Sequence, residues 1–146
     1  MTTPVVARPR RLTKVCGLVA ALVVVVFGVL AVALGRGPEG AAQFRLGDQI
    51  AFFVLGLIVA GLALMFTRAR VEATADGVHV RNPFGTKDVP WQVVREVRLD
   101  DGAPWAVLEL QDDETVQMLA VQANDGDAAV DVVLELRALL QASRGR

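Results

Sequence analysis

Twenty consecutive residues without a formal charge, 15–34 (VCGLVAALVVVVFGVLAVAL), limit what this chain can fold into more than any other part of it. Thirteen of them are Val, Leu or Phe, and at roughly −0.3 kcal/mol or better each near a helix centre the run favours bilayer insertion by about 4 kcal/mol. A helix rising about 1.5 Å per residue makes this run about 30 Å long, the thickness of a hydrocarbon core. The β-branched block 23–26 would suit a buried strand in water. In lipid a lone strand leaves its backbone unpaired, so the helix is expected.

A second charge-free run, 50–66 (IAFFVLGLIVAGLALMF), has eleven Leu, Ile, Val or Phe and sits at the short end of the spanning range; Leu46 would extend it by a turn. Between the runs, 35–49 is Gly-rich, with two Arg balanced by Glu39 and Asp48, and reads as a loop on the outer face. These runs explain why the 146-residue chain is 53% hydrophobic with mean hydropathy +0.45, too apolar for one soluble domain.

Charge sets the orientation. Arg8, Arg10, Arg11 and Lys14 precede the first run with no acid among them, and Arg68 and Arg70 follow the second, so the flanks read +4, 0 and +2. By the positive-inside rule both ends are cytoplasmic. Residues 1–14, with two prolines, clustered cations and no apolar period, are expected to be a disordered basic cytoplasmic arm. Ala31-Val32-Ala33 imitates a signal-peptidase site, but the first run is long for a signal peptide. Arg10-Arg11 imitates a twin-arginine signal, but Thr13 and Lys14 stand where apolar residues are usual. Cys16 alone excludes an intrachain disulfide or a Cys-based zinc site. Small residues four apart, Gly17 with Ala21 and Gly56 with Ala60, offer a close approach between the spans.

From 67 onward the period changes to two. Val71, Ala73 and Ala75 alternate with polar residues, Asp76-Gly77 makes a hairpin turn, and Val78 and Val80 continue the alternation against His79 and Arg81. Asn82-Pro83-Phe84-Gly85 is a second turn. Further strands are expected at 86–89, 94–99, 105–110 and 115–121, with a tight helical turn or bulge at Pro90-Trp91-Gln92-Val93. Asn124 and Asp125 are candidate caps for a closing amphipathic helix whose apolar stripe is Ala129, Val132, Val133, Leu136, Leu139 and Leu140, with Arg137, Arg144 and Arg146 towards its carbonyl end. The expected fold is therefore a membrane α-helical hairpin of two spans (15–34 and 50–66). It is followed at 67–142 by a small α+β domain of six or seven antiparallel strands capped by a C-terminal helix, and a 143–146 tail.

This half of the chain carries nine Lys/Arg against fourteen Asp/Glu from 67 to 146, a net of −5, which argues against nucleic acid as a partner. No residue is assigned a catalytic, cofactor-binding or metal-binding role. His79 is the sole histidine and reads as a solvated strand residue; Asp112, Asp113 and Glu114 sit in a turn, where acids are common. Trp91 and Trp105 are either core or partner-binding anchors. No Gly-rich phosphate loop is found.

The pattern Ala75-Asp76-Gly77-Val78 with Val80-Arg81-Asn82, then Val89-Pro90-Trp91 with Val94 and Val97, then Trp105-Ala106-Val107-Leu108-Glu109-Leu110 and a helix at 130–140, resembles the actinobacterial membrane proteins with a small bacterial pleckstrin-homology (PH) domain typified by low molecular weight protein antigen 6. The likeness covers 67–142, and two preceding spans suit that group. It implies a PH-like fold, a strongly bent sheet or partly open barrel with the helix at one end, and implies little about chemistry. PH-like domains that bind phosphoinositides resemble one another in having several Lys/Arg in the first hairpin loop; here that loop is Ala75-Asp76-Gly77, and only Arg81 and Lys87 lie near the next.

The function expected is non-enzymatic: a two-span plasma-membrane protein whose cytoplasmic PH-like domain is a membrane-proximal interaction or assembly module for a protein partner, bound at the sheet edge or near Trp91. The rivals are an exported, antigen-like protein and a small accessory subunit of a transporter or envelope enzyme that docks through its spans.

Overall fold

The computed structural model describes residues 4–36 and 46–145, so most of the expected outer loop, and Arg146 of the tail, lie outside the described residues. The chain forms two compact units, Leu12–Thr67 and the segments before and after it.

The inner unit is a pair of helices, α1 (Arg10–Leu34) and α2 (Leu46–Met65), both long and apolar enough to cross a membrane. Helix α1 thus starts five residues before the apolar run and α2 four residues before its own. Small residues make the contact: Ala20 and Ala31 on α1 and Gly56 and Ala60 on α2 are buried, while Leu18, Leu22, Val25, Leu55 and Ile58 stand outward. Gly56 admits the ring of Phe27, since a Cβ at position 56 would fall 2.6 Å from the Phe27 Cβ. Phe27 and Phe52 add a tilted ring pair with centroids 6.2 Å apart. The expected pairing of Gly56 with Ala60 is therefore seen, but on α1 the buried small residues are Ala20 and Ala31, not Gly17 and Ala21: nothing approaches an added Cβ at Gly17, and Ala21 is exposed. Overpacking this contact with Gly56→Val is expected to destabilise the helix pair by about 1–3 kcal/mol, read as a lower unfolding midpoint in detergent micelles, whereas Gly17→Ala leaves the midpoint in place.

The outer unit is built on two antiparallel sheets. One has the order β1-β2-β3-β4, with β1 at Val5–Ala7, β2 at Arg70–Ala73, β3 at Gly77–Asn82 and β4 at Gly85–Pro90; the other has β5-β6-β7, at Val94–Arg98, Trp105–Leu110 and Thr115–Gln122. Helix α3 (Asp127–Arg144) follows β7 and packs on β5 and β7. Period two produces the core as expected: Val71 and Ala73, Val78 and Val80, Ala106 and Leu108, Val116 and Met118 point inward and meet Val133, Leu136 and Leu140 of α3. Pro90 ends β4 and leads into a 3-10 turn at Trp91–Val93. That turn swings Trp91 inward, where it is 1% exposed and its indole Nε1 donates to the Thr74 carbonyl at 2.8 Å. A hydrogen-bonded partner is what a buried indole N–H requires.

Three expectations are corrected. Residues 1–14 are not a disordered arm throughout, because Val5–Ala7 pairs antiparallel with β2 in the register Val5↔Ala73, Val6↔Glu72, Ala7↔Val71. Three residues are too few to show a period, and the partner strand lies more than sixty residues along the chain, beyond the hairpin. Second, neither Asn124 nor Asp125 caps α3. Both belong to a 3-10 turn, the cap position is Gly126 at φ 60°, and the Asp125 carboxylate instead accepts the Arg11 backbone N–H at 3.4 Å. Third, Arg137 and Arg144 serve the sheet more than the helix end. Arg137 Nε donates to the Val97 carbonyl at 2.9 Å and Arg144 to that of Arg95 at 2.5 Å, covering the outer edge of β5.

Candidate functional site

The register places one end of the β1–β4 sheet where the chain leaves for the helices and returns from them. β1 ends at Ala7 and α1 begins at Arg10; after α2 a 3-10 turn at Phe66–Arg68 leads to β2 at Arg70. Arg70 lies opposite Arg81, and Asn82 opposite Gly85, so the β3–β4 turn sits at this same end. Pro83 and Phe84 form the tip of that turn, and Phe84 is 79% exposed.

Behind the tip runs a groove of about 620 Å³, lined by Val80, Asn82, Phe84, Lys87, Val116 and Leu119 among others. Asn82 holds its floor by linking the two sheets. Its Nδ2 donates to the Gln117 carbonyl at 2.7 Å, and its Oδ1 accepts the Leu119 N–H at 3.3 Å, so the side chain stands in for a strand on the outer edge of β7. An Asn after a strand reads as turn chemistry, and no sequence signal marks this second role. Charges around the groove largely cancel: Lys87 faces Glu114 at 3.6 Å and Arg70 pairs with Glu72, which leaves exposed Arg81 as the cation of the turn.

The other residues singled out in the sequence are placed apart from this groove or from one another. His79 is exposed on β3 and pairs with Asp88, its register partner on β4. The three acids of the β6–β7 turn diverge: Asp112 accepts the Glu114 N–H, Asp113 pairs with Arg95 at 2.7 Å, and Glu114 pairs with Lys87. Among the described residues no group of three His, Cys, Asp or Glu is arranged to hold a metal ion. Trp91 is a core residue, which removes the expectation of partner binding at its ring; Trp105 is half-buried beside a bulge in the β6–β7 pairing. Cys16 is half-buried on α1.

The outer face of β5 and β6 carries an ionic ladder. Arg95 binds Glu109 at 3.0 Å and Asp113, and Arg98 binds Glu109 at 3.1 Å and Asp100 at 2.7 Å. Hydrogen bonds from Arg98 and Arg95 hold the Glu109 carboxyl below its ordinary range. A depressed folded-state value means the pairing contributes fully above the unfolded-state value and disappears as pH falls through the folded one. Glu109→Gln is therefore expected to unfold at modestly lower urea than the parent at neutral pH, with the gap closing on acidification below about pH 4.

Comparison with known proteins accords with this architecture. The bacterial PH domain family matches residues 68–139. An uncharacterised protein in Mycobacterium tuberculosis, found alike in two strains, and one in Mycobacterium bovis are each 36% identical to the chain over 140 residues, covering 96% of it and 90% of the relative. The chain belongs to the bacterial PH domain family. No solved structure gives a significant match. The PH domain match begins at Arg68, so it includes β2 to β7 and most of α3 but leaves out β1 and the helices. The PH domain seen in the structure is thus completed by a strand from the other side of the helical hairpin. The relatives extend across both parts of the chain, while the narrower likeness to the antigen 6 group stays a resemblance.

Proposed function

We propose that this protein is a two-span plasma-membrane protein that presents its PH domain on the cytoplasmic face as a non-catalytic interaction or assembly module for a membrane-associated protein. The observation that carries the reading is the β1–β2 pairing: the segment before the helical hairpin and the segment after it belong to one folded body. A domain joined to the bilayer by two short connections has a higher effective concentration towards membrane partners, and less orientational freedom, than one on a single flexible linker. The cations at 8–14 and 68–70 favour the cytoplasmic side.

The partner surface is the outer edge of β4. Asn82 bonds to β7, α3 arginines cover β5, and β1 lies alongside α3, whereas β4 ends its sheet with Gly85, Thr86, Lys87 and Asp88 exposed. An edge strand of this kind accepts an extended segment by β-augmentation. A photoreactive residue at Thr86, introduced into the full chain in native membranes, is expected to crosslink to a discrete protein. Crosslinks obtained from Val25 in α1 but not from Thr86 would replace this reading with that of a subunit docked through its spans.

A further inference from the structure

We infer that the β3–β4 turn is a lipid contact: Phe84 enters the interfacial region of the bilayer and locks the PH domain against the membrane surface. The inference rests on the membrane-spanning reading of α1 and α2 and adds a third attachment point to the two covalent ones.

The geometry comes from the domain alone. Both connections to the helices leave from the sheet end where Ala7 meets Val71 and Arg70 meets Arg81. The connections are short, two residues between β1 and α1 and a 3-10 turn plus one residue between α2 and β2. The β3–β4 turn lies two strands across from the start of β2, about 10 Å at the usual strand spacing. Its tip therefore lies at the sheet end from which both connections leave.

The chemistry of the tip fits lipid. Phe84 has the largest exposed fraction of any large apolar side chain among the described residues, and it lies at the lip of a groove lined by Val80, Val116 and Leu119. An exposed aromatic on a rigid turn, backed by apolar surface, is expensive to leave in water and suited to the headgroup boundary. Arg81 adds a cation able to meet phosphate, but Lys87 and Arg70 are already matched by Glu114 and Glu72. The contact is thus apolar in origin. It does not depend on anionic headgroups, and phosphoinositide recognition is not what this turn is built for.

The test uses the full chain with Cys16→Ser, reconstituted in phosphatidylcholine vesicles, with single cysteines carrying an environment-sensitive fluorophore. A label at Phe84→Cys is expected to shift to the blue and to be quenched by lipid-borne nitroxides, at least twofold more than a label at Asp76→Cys in the turn at the opposite end of the sheet. Adding phosphatidylserine is expected to change that quenching little. A label at Val25→Cys in α1 serves as the reference for insertion. If Val25 is quenched and Phe84 is not, the lipid contact is overturned while the spans stand; the turn would then be free for a protein. If neither is quenched, the membrane reading fails and the inference fails with it. Quenching at Phe84 that appears only with phosphatidylserine would overturn the apolar origin of the contact.

Discussion

Trp91→Ala is expected to remove about 3–5 kcal/mol of domain stability, as other buried Trp or Phe truncations do, against a typical margin of about 5–15 kcal/mol. The ring is almost wholly enclosed, in the same core cluster as Val78, Val94 and Val97, at the point where the chain passes from one sheet to the other. Truncation leaves a cavity there. It also strands the Thr74 carbonyl, which receives the indole N–H in the β2–β3 turn. Trp91→Phe separates the two effects: most of the volume stays, and an expected loss of about 1–3 kcal/mol reports the unmatched carbonyl. Urea denaturation of the full chain in micelles, followed by hydrogen exchange at β6 amides, measures both. A loss below about 1 kcal/mol for Trp91→Ala would mean that the ring is not the hinge of the core.

The second large effect concerns a strand that the family match leaves out. Ala7 is buried and directly opposite Val71. Ala7→Asp places a carboxylate in that wall, which costs about 1–3 kcal/mol or forces the strand to detach. Detachment exposes the edge of β2, so the amides of Val71 and Ala73 are expected to exchange roughly tenfold to a hundredfold faster, the equivalent of about 1.4–2.8 kcal/mol. Val6→Ser, on the outward face of the same strand, is expected to change exchange far less, because Val6 faces away from the core and is 46% exposed. The contrast between the two substitutions distinguishes a packed strand from a loosely associated arm.

What the sequence disclosed and what it withheld follow from the range of the interactions. Alternation is local, so β2 to β7 and their turns are legible to within a residue or two, including the interruption at Pro90 and Trp91. The apolar runs announce α1 and α2 for the same reason. Contacts made across the fold carry no such local signature. Val5, Val6 and Ala7 have no period to display, and nothing near them indicates Val71 or Ala73 as neighbours. Asp125 looks like a helix cap until Arg11 claims it, and Arg137 and Arg144 look like dipole partners until the β5 carbonyls are within reach. Asn82 was legible as a turn residue, whereas its bridge to Gln117 and Leu119 depends on how the sheets face each other. On α2 the pair Gly56 and Ala60 was readable from spacing, but on α1 several small residues compete, and Phe27 selects among them by shape.

The two-tether attachment on which the proposed function rests depends on β1 belonging to the same domain as β2, because that pairing brings the outgoing connection to the sheet end from which the return connection also leaves. A disulfide across this register is the most direct measurement. In the Cys16→Ser background, Val6→Cys with Glu72→Cys places two thiols on directly opposed outward positions, and His79→Cys with Asp88→Cys, also opposed, controls for reactivity. Mild oxidation of the full chain in membranes is expected to close the first pair within a single chain as readily as the second. Closure of the control pair alone, or a first-pair crosslink found only between two chains, would contradict the account.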